Sequence, residues 1–336
     1  MSLSSQGLLA NFGLMEAANL NAKGKTVINE SLVERRSISG GYQDELKNQA
    51  TMRATTGNLN VEATELFQAR GAKFEAKLNL DLKSAGKLYL GAQQLCSEVT
   101  TIGKHSYYHR YTLNNHKSQV NAGQNVNIWS GEGMIFEGVD VAAAGYIHAK
   151  SESTLENRTV HNIYQEESRT ESKGGLLKGK KTESTQTTID TVVKNAFKAG
   201  GDVNFESEGD NIQQAPHIES GGSTTIRSNQ GKVIIKADKS SYMTSTQKSS
   251  KSAVWQSQQQ KSHYDETIEM LEILAKDGIH ISGDQGIEAE IKGGKNLQNS
   301  LDLLEKHAET AWVKDLRKDP KATWHLISEE HKSNAR

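Results

Sequence analysis

The stretches Lys198-Ala-Gly-Gly-Asp-Val-Asn-Phe205 and Glu219-Ser-Gly-Gly-Ser-Thr-Thr-Ile226 align with each other at a spacing of 21 residues. A second pair, Val120-Asn-Ala-Gly-Gln-Asn-Val-Asn-Ile128 and Val141-Ala-Ala-Ala-Gly-Tyr-Ile-His-Ala149, has the same spacing. Self-similarity with a period of about 20 residues is typical of a solenoid, in which each unit buries its apolar face by stacking on its neighbours. The repeat therefore predicts an elongated array.

Short segments with apolar residues at every second position recur along the chain. Examples are Lys77-Leu-Asn-Leu-Asp-Leu82, Gly231-Lys-Val-Ile-Ile-Lys-Ala237 and Gly278-Ile-His-Ile281. This pattern is that of half-buried strands of three to five residues, which stack about 4.8 Å apart in a parallel sheet. We predict an all-β fold, a right-handed parallel β-helix with coils of about 20 residues.

The composition fits such an array. Of 336 residues only Pro216 and Pro320 are proline, which suits strands that donate every backbone N–H, and the 29 glycines suit tight corners. A hydrophobic fraction of 35% is low for a globular protein. Disorder is the competing interpretation of so polar a chain, and the regular apolar alternation argues against it.

Charge and cysteine content exclude several classes of partner and of site. A net charge of −1 gives no overall field toward nucleic acid or an anionic membrane. Cys96 is the only cysteine, so an intramolecular disulfide and a multi-cysteine metal site are excluded. Met1-Ser-Leu-Ser-Ser-Gln-Gly7 does not resemble a signal peptide, and no stretch approaches the 18 or so apolar residues of a membrane span. We expect either a cytosolic protein or a piece of a protein whose export signal lies elsewhere.

Two polar inserts interrupt the predicted array, at about 151–195 and 238–276. Both are rich in Ser, Thr, Lys, Glu and Gln, and we predict that they are long hairpins leaving the solenoid. Apolar spacing over 263–275 also fits a short helix. Segments 29–56 and 94–118 have the character of two lesser inserts.

The period changes near Asn296. Five apolar residues then fall on one helical face: Leu301, Leu304, Ala308, Ala311 and Trp312. This helix should end near Pro320, and a second short helix is predicted to carry Trp324, Ile327 and His331. We divide the chain into a repeat region, 1–292, and a helical closing segment, 293–336, that caps the last coil.

Three stretches together resemble one known family. The run Glu166-Glu-Ser-Arg-Thr-Glu-Ser-Lys-Gly-Gly-Leu-Leu-Lys-Gly-Lys-Lys-Thr182 has charged residues around a central Gly-Leu-Leu, and Ala199-Gly-Gly-Asp-Val-Asn-Phe205 follows it, an order that resembles the filamentous haemagglutinin family. The tail Trp312-Val-Lys-Asp-Leu-Arg-Lys-Asp-Pro320 resembles the helical segment that closes the haemagglutinin-repeat region of contact-dependent growth-inhibition exoproteins. The resemblance covers most of the chain and is strongest over 119–330.

The resemblance implies a non-catalytic segment of a secreted, adhesin-like bacterial exoprotein. Such a segment is a stalk at the cell surface that contacts a protein or glycan receptor on a target cell and helps to deliver a toxin. It would be exported by two-partner secretion through an outer-membrane partner transporter. The resemblance also implies that the closing segment, 293–336, is the truncated start of the family's pretoxin region. The family's secretion domain and toxin have no counterpart here, so we expect an interior piece without toxin activity, and an inactive separated gene fragment remains an alternative.

Candidate ligand-binding motifs are weak. Gly174–Lys180 fits the Gly-x4-Gly-Lys core of a phosphate-binding loop, but Lys181 stands where Ser or Thr should hold Mg²⁺, which favours a basic hairpin turn. His105 and His109 have the spacing of a helical metal-binding pair without a third ligand, so a polar, aromatic contact with a partner is the favoured interpretation. We expect no metal and no cofactor.

Enzymatic function is the runner-up hypothesis. Parallel β-helices include polysaccharide lyases and hydrolases, and Asp202 and Asp210 are the candidate catalytic carboxylates, although no cluster repeats on one face. Trp312 and Trp324 are expected to pack the tail, whereas the roles of Trp129 and Trp255 stay open. One basic cluster has acidic neighbours that reduce its net positive charge, so it does not favour nucleic-acid binding. Its members are Lys173, Lys178, Lys180 and Lys181.

Overall fold

The structure is a computed structural model that describes residues 1–173, 179–252 and 255–335. About 70% of the chain is strand and 5% is helix, so the fold is nearly all β, as the alternating pattern predicts.

Within the described residues the chain forms 34 strands, two α-helices and one 3-10 helix. The strands are β1 Ser2–Ser4, β2 Leu8–Asn11, β3 Leu14–Ala17, β4 Leu20–Glu30, β5 Leu32–Ile38, β6 Gly41–Asn48, β7 Thr51–Ala54, β8 Leu59–Arg70, β9 Lys73–Ala76, β10 Leu80–Ser84, β11 Lys87–Gly91, β12 Gln93–Ile102, β13 Ser106–His116, β14 Ser118–Ala122, β15 Val126–Ser130, β16 Gly133–Glu137, β17 Val139–Ala143, β18 Ile147–Ser151, β19 Thr154–Arg158, β20 Val160–Lys173, β21 Lys180–Val193, β22 Ala196–Ala199, β23 Val203–Ser207, β24 Asn211–Gln214, β25 His217–Ser220, β26 Ser223–Ser228, β27 Val233–Lys236, β28 Asp238–Lys251, β29 Gln256–Glu269, β30 Glu272–Ala275, β31 Gly278–Gly283, β32 Ile287–Lys292, β33 Ala322–Ile327 and β34 His331–Ala335. The helices are α1 Leu297–Leu304, the 3-10 helix Ala308–Thr310 and α2 Trp312–Leu316.

Twenty-five of these strands form three parallel ladders, which we call the parallel array. Ladder 1 contains β1, β4, β8, β10, β15, β18, β23, β26 and β31, and ladder 2 contains β2, β4, β8, β11, β16, β19, β24, β27, β32 and β33. Ladder 3 contains β3, β7, β9, β14, β17, β22, β25 and β30. The long strands β4 and β8 belong to ladder 1 with their first halves and to ladder 2 with their second halves. Elsewhere one strand in each ladder makes one unit, for example β14, β15 and β16.

The 21-residue repeat found in the sequence corresponds to one unit. Lys198 pairs directly with Glu219, and Val120 pairs with Val141, so the similar stretches are ladder neighbours. The glycines of this repeat lie at a corner where successive units approach closely. A Cβ on Gly221 would come within 2.1 Å of the Gly200 carbonyl oxygen. Glycine at this corner therefore preserves the stacking distance.

The core of the array lies between the ladders. In strands such as β15 and β18 every second residue is buried, which is the pleat expected of one apolar and one exposed face. Aromatic rings stack along the interior: Phe136 meets Phe197 edge-on at 5.5 Å, and Phe197 meets Phe205 at 4.7 Å. Burial of this apolar stack fixes the register of each unit on the next.

Asparagines connect the units at the corner between ladders 3 and 1. The Oδ1 of Asn19 accepts the backbone N–H of Asn58 at 3.0 Å, the Oδ1 of Asn58 accepts that of Asn79 at 3.0 Å, and the Oδ1 of Asn79 accepts that of Asn125 at 3.3 Å. Each amide thus satisfies a corner N–H of the following unit.

The predicted inserts contain four hairpins, and all of them leave the array at the same corner. Each hairpin follows a ladder 2 strand and returns to a ladder 3 strand: β5–β6, β12–β13, β20–β21 and β28–β29. The longest hairpins span Val160–Val193 and Asp238–Glu269, so the predicted bounds are too wide, and β19 within the first insert belongs to ladder 2. Residues 263–275 are strand and not helix, because β29 pairs along its length with β28 and β30 returns to ladder 3.

The four hairpins and β34 pair edge to edge into one nine-stranded antiparallel sheet, which we call the hairpin sheet. Its order is β5, β6, β12, β13, β20, β21, β28, β29 and β34. Hairpins follow every second ladder 2 strand (β4, β11, β19 and β27), whereas β8, β16 and β24 pass directly to ladder 3. Two units rise about 10 Å, which is also the width of two paired strands. The rise of the array therefore brings each hairpin to pairing distance from the next.

Each hairpin interrupts the backbone ladder at its base, which we call its exit, and buried polar side chains fill the gap at the first three exits. Ser31 precedes the first hairpin, whereas Ser118 and Asn195 follow the returning strands of the second and third. The Oγ of Ser118 accepts the N–H of Ala72 at 3.0 Å and donates to the Gly91 carbonyl at 2.6 Å. The Oδ1 of Asn195 accepts the N–H of Val139 at 2.9 Å. These side chains satisfy backbone groups that the departing hairpins leave without a neighbour.

The carboxyl-terminal segment closes the array partly as predicted. Trp312 is fully buried, its Nε1 donates to the Leu271 carbonyl at 3.0 Å, and its ring stacks on Trp324 at 6.3 Å. The predicted second helix over Trp324, Ile327 and His331 is wrong. The segment forms β33, which pairs with β32, and β34, which pairs with β29, since both strands offer unpaired backbone groups at a sheet edge.

Candidate binding surface

The hairpin sheet is a single layer with solvent on both faces. Among the described residues of its nine strands only Ile268 is buried. The parallel strands beside it bury every second residue. This sheet therefore offers a continuous, largely polar surface to a partner on both faces.

Cross-strand register assigns the side chains of the two longest hairpins to opposite faces, because direct partners in an antiparallel pair lie on the same face. One row is Arg169, Ser184, Gln247 and Gln260, and the row beside it is Glu171, Thr182, Ser249 and Gln258. We call this side the glutamine face. The residues between them, such as Thr185 and Thr246, form the opposite face.

The glutamine face contains a trough of about 600 Å³. We call it the glutamine trough, and its lining is Glu167, Arg169, Thr182, Ser184, Gln186, Ser245, Gln247, Ser249, Gln256, Gln258 and Gln260. Its charged residues are Glu167 and Arg169, so its formal charge is zero. Arg169 also forms an ion pair with Glu171 at 2.8 Å.

The opposite face has a smaller hollow of about 350 Å³ with a different character. Lys248 and Glu183 form an ion pair there at 2.8 Å, and Lys181 lies in the same lining. Threonine hydroxyls meet across the strands at 3.5 Å, Thr185 with Thr246. Ion pairs and paired threonine hydroxyls thus occur on this face.

A tyrosine cluster joins the second and third hairpins. Tyr108 donates to Oε2 of Glu166 at 3.0 Å, and Tyr164 donates to the same oxygen. The hydrogen bond to the Glu166 carboxylate, together with partial burial, raises the pKa of Tyr164 to about 12. Both phenols therefore remain protonated donors at neutral pH.

His161 connects the bases of the third and fourth hairpins. Its Nδ1 lies 2.5 Å from Oδ1 of Asp190, and its Nε2 lies 2.9 Å from Oδ2 of Asp238. Partial burial lowers the pKa of His161, but the hydrogen bonds and charges of the two carboxylates outweigh burial and raise the pKa above 6.5. The imidazolium, which donates from both nitrogens, is the form that this geometry favours.

His217 has the same arrangement within ladder 3. Its Nδ1 lies 2.7 Å from Glu272 and its Nε2 lies 3.0 Å from Glu219, and these contacts raise its pKa despite partial burial. His217 and Glu219 lie on β25, and Glu272 lies opposite His217 on the neighbouring strand β30. The sequence does not show this arrangement, because the fourth hairpin separates the two strands.

The histidines singled out in the sequence do not converge. Nε2 of His109 lies 3.2 Å from Oε1 of Glu98, and His105 lies in the turn that joins β12 to β13. Within residues 1–173, 179–252 and 255–335 no group of three or more His, Cys, Asp or Glu side chains is placed to hold a metal ion. Over the same residues no helix is long and apolar enough to cross a membrane.

The two candidate catalytic carboxylates lie at different corners. Oδ1 of Asp202 accepts the N–H of Ser223 at 2.7 Å, and Oδ1 of Asp210 accepts the N–H of Lys232 at 2.9 Å. Asp202 precedes a ladder 1 strand, as the corner asparagines do. Both carboxylates therefore connect one unit to the next.

The remaining predicted features are dispersed. Nε1 of Trp129 donates to Glu152 at 3.1 Å on the array, and Trp255 is 63% exposed at the turn of the fourth hairpin. The Gly-x4-Gly-Lys stretch and Lys178 of the basic cluster lie largely outside the described residues. Lys180, at the start of β21, forms an ion pair with Glu171 at 2.7 Å.

Comparison with known proteins found no matching family model, no matching curated protein and no matching solved structure. The resemblance drawn from the sequence accordingly stays a prediction.

Proposed function

We propose that this chain is a right-handed parallel β-helical segment of a secreted exoprotein of the filamentous haemagglutinin type. It acts without catalysis as a stiff scaffold that presents its hairpin sheet to a target-cell surface. The observation that carries the proposal is a solvent-exposed polar sheet held on one side of a parallel array. Ten strands in ladder 2 correspond to a scaffold on the order of 45 Å long.

Two further observations support a scaffold. The 21-residue register is that of stacked units, each of which contacts only its neighbours, and this organisation gives stiffness along the stacking direction. Asp202 and Asp210 use their carboxylates on neighbouring backbone N–H groups, which favours a structural role for them over a catalytic one.

The family resemblance extends the proposal. It adds a secreted or cell-surface location, export through an outer-membrane partner transporter, and a part in toxin delivery during contact-dependent growth inhibition. The receptor is then a protein or a glycan on the target cell.

Site-specific blocking of the hairpin sheet tests the proposal. In a Cys96→Ser background, Ser249→Cys places a single thiol on the exposed glutamine face, and Glu132→Cys places one at an exposed corner that carries no hairpin. Each thiol is coupled to a bulky polyethylene glycol, and binding of fluorescent protein to bacterial cells is measured by flow cytometry. We expect the polymer at position 249 to abolish binding and the polymer at position 132 to leave it unchanged. Equal binding by both conjugates, or no binding by the unmodified chain, would contradict the proposal.

A further inference from the structure

We propose that the glutamine trough is a binding site for an uncharged polysaccharide. This inference deepens the proposed function, on which it rests, by naming the chemistry of the ligand. The trough is formed by four adjacent strands, β20, β21, β28 and β29, which come from two hairpins that are neighbours only in the folded molecule.

The hydrogen-bonding capacity of the trough is the first argument. Its lining includes five glutamines, three serines and one threonine, and each amide offers two donors and an acceptor. Among the described residues none of the five glutamine side chains makes a hydrogen bond to the protein, whereas threonines of the opposite face pair with each other. Hydroxyl groups of a sugar are both donors and acceptors, so they can satisfy this set of amides.

Charge complementarity is the second argument. Glu167 and Arg169 cancel and the rest of the lining is neutral, so the lining itself carries no formal net charge. Lys173, Lys180 and Lys251 form the next row of the same face, beside Gln256, and the acidic polymers in the binding test show whether this row attracts an anionic ligand instead. The hollow on the opposite face is lined by four charged residues, Glu171, Lys181, Glu183 and Lys248, whereas two charged residues line the larger trough. An uncharged ligand rich in hydroxyls therefore fits the lining of the trough better than that of the hollow.

Periodicity is the third argument. Cross-strand rows such as Ser184, Gln247 and Gln260 place one polar side chain on each strand, at a spacing of about 4.8 Å. A regular row of this kind suits a polymer with repeating hydroxyl groups, which contacts successive strands in the same way.

The test compares two pairs of substitutions on one strand. Gln258→Ala with Gln260→Ala removes two exposed amides from the trough, and Gln259→Ala with Lys261→Ala removes two exposed side chains from the opposite face. Binding of the full chain to dextran, laminarin, mannan and pullulan, and to the acidic polymers alginate and heparin, is measured by affinity electrophoresis and calorimetry. We expect binding to at least one neutral polymer, a rise in Kd of about tenfold or more for the trough pair, and a change below about twofold for the control pair.

Gln258→Glu with Gln260→Glu keeps the side-chain size, and it should weaken binding as much as the alanine pair, which keeps the inference testable if the alanine pair fails to fold. The inference is overturned by binding to the acidic polymers alone, by no binding to any polymer, or by equal losses in the trough and control pairs. Self-association that only the trough pair abolishes, without polysaccharide binding, would assign the trough to a second copy. Cell binding that persists without polysaccharide binding refutes the inference and leaves the proposed function standing.

Discussion

The parallel array and the hairpin sheet consist of the same secondary structure and differ in what stabilises them. In the array every second residue is buried between the ladders, and aromatic rings such as Phe197 and Phe205 are almost completely inaccessible. In the hairpin sheet only Ile268 is buried among the described residues. The array thus derives its stability from apolar burial, whereas the sheet depends on backbone hydrogen bonds and cross-strand pairs.

This difference shows how a single-layer sheet can be held in place. A two-stranded hairpin alone is marginally stable in water. The four hairpins here are joined by three further pairings, β6 with β12, β13 with β20 and β21 with β28, and the array provides their spacing. The array is therefore the template, and the sheet is free to carry polar side chains on both faces. Four measurements test this difference in stabilisation between the array and the hairpin sheet.

Removal of a core aromatic side chain should have the largest effect. Phe197→Ala leaves a cavity beside Phe136 and Phe205, and we expect it to lower the free energy of unfolding by about 3–5 kcal/mol. Tyr242→Ala, at an exposed position of β28, serves as the control and should cost less than about 1 kcal/mol. Chemical denaturation measures the free energy of unfolding of both variants, and hydrogen exchange then locates the loss. Equal losses would show that the sheet is as important to stability as the core.

Replacing a buried polar side chain at a hairpin exit should have the second largest effect on stability. Asn195→Leu leaves the buried N–H of Val139 and the carbonyl of Phe136 without a partner, which we expect to cost about 1–3 kcal/mol. Hydrogen exchange should speed up at the base of the third hairpin while the first hairpin stays protected. Faster exchange along the whole chain would argue against the idea that each exit side chain stabilises only its own hairpin base.

The histidine between the hairpins should make stability depend on pH. Because the pKa of His161 is raised, its contribution is fully present below about pH 6.5 and is lost as the pH rises through the raised value. Thermal unfolding between pH 5.5 and 9 should show a decline in the wild type that is reduced in His161→Gln. The residual decline reports His217 and His331, whose pKa values are also raised by neighbouring carboxylates. An unchanged pH profile in His161→Gln would exclude the imidazolium from stabilising the hairpin bases.

The smallest effect is expected at a corner. Asp202→Asn keeps an oxygen for the N–H of Ser223, and asparagine stands at the equivalent corners, so stability should change by less than about 0.5 kcal/mol. Asp202→Ala, which removes the acceptor, should cost about 1 kcal/mol. Turnover of a glycan by the wild type that disappears in Asp202→Asn would instead support the enzymatic alternative.

Local patterns predicted much of the fold. The alternation in segments such as Lys77–Leu82 indicates strands because side chains alternate across a pleat, and the 21-residue repeat indicates stacking neighbours, which Lys198 and Glu219 are. Polar inserts were recognisable because they lack a continuous apolar side. The tail after Pro320 was mispredicted because edge pairing with β32 and β29, which lie elsewhere in the chain, outweighs its weak helical pattern.

The candidate site was not predictable in the same way. Glutamines 247, 258 and 260 stand in the sequence as members of polar runs, and their alternation with Lys248, Gln259 and Lys261 suggests two faces without indicating what adjoins them. Their convergence with Ser184 depends on the pairing of β21 with β28, two strands from different hairpins.

Side-chain alternation and local turn chemistry specify the strands, the period of the repeat and the approximate positions of the inserts, and all of these can be read along the chain. That the four hairpins leave from one corner, pair into one sheet and form the glutamine trough follows from the folded arrangement. The reason is geometric: a hairpin after every second unit meets its neighbour because two units rise by the width of two strands.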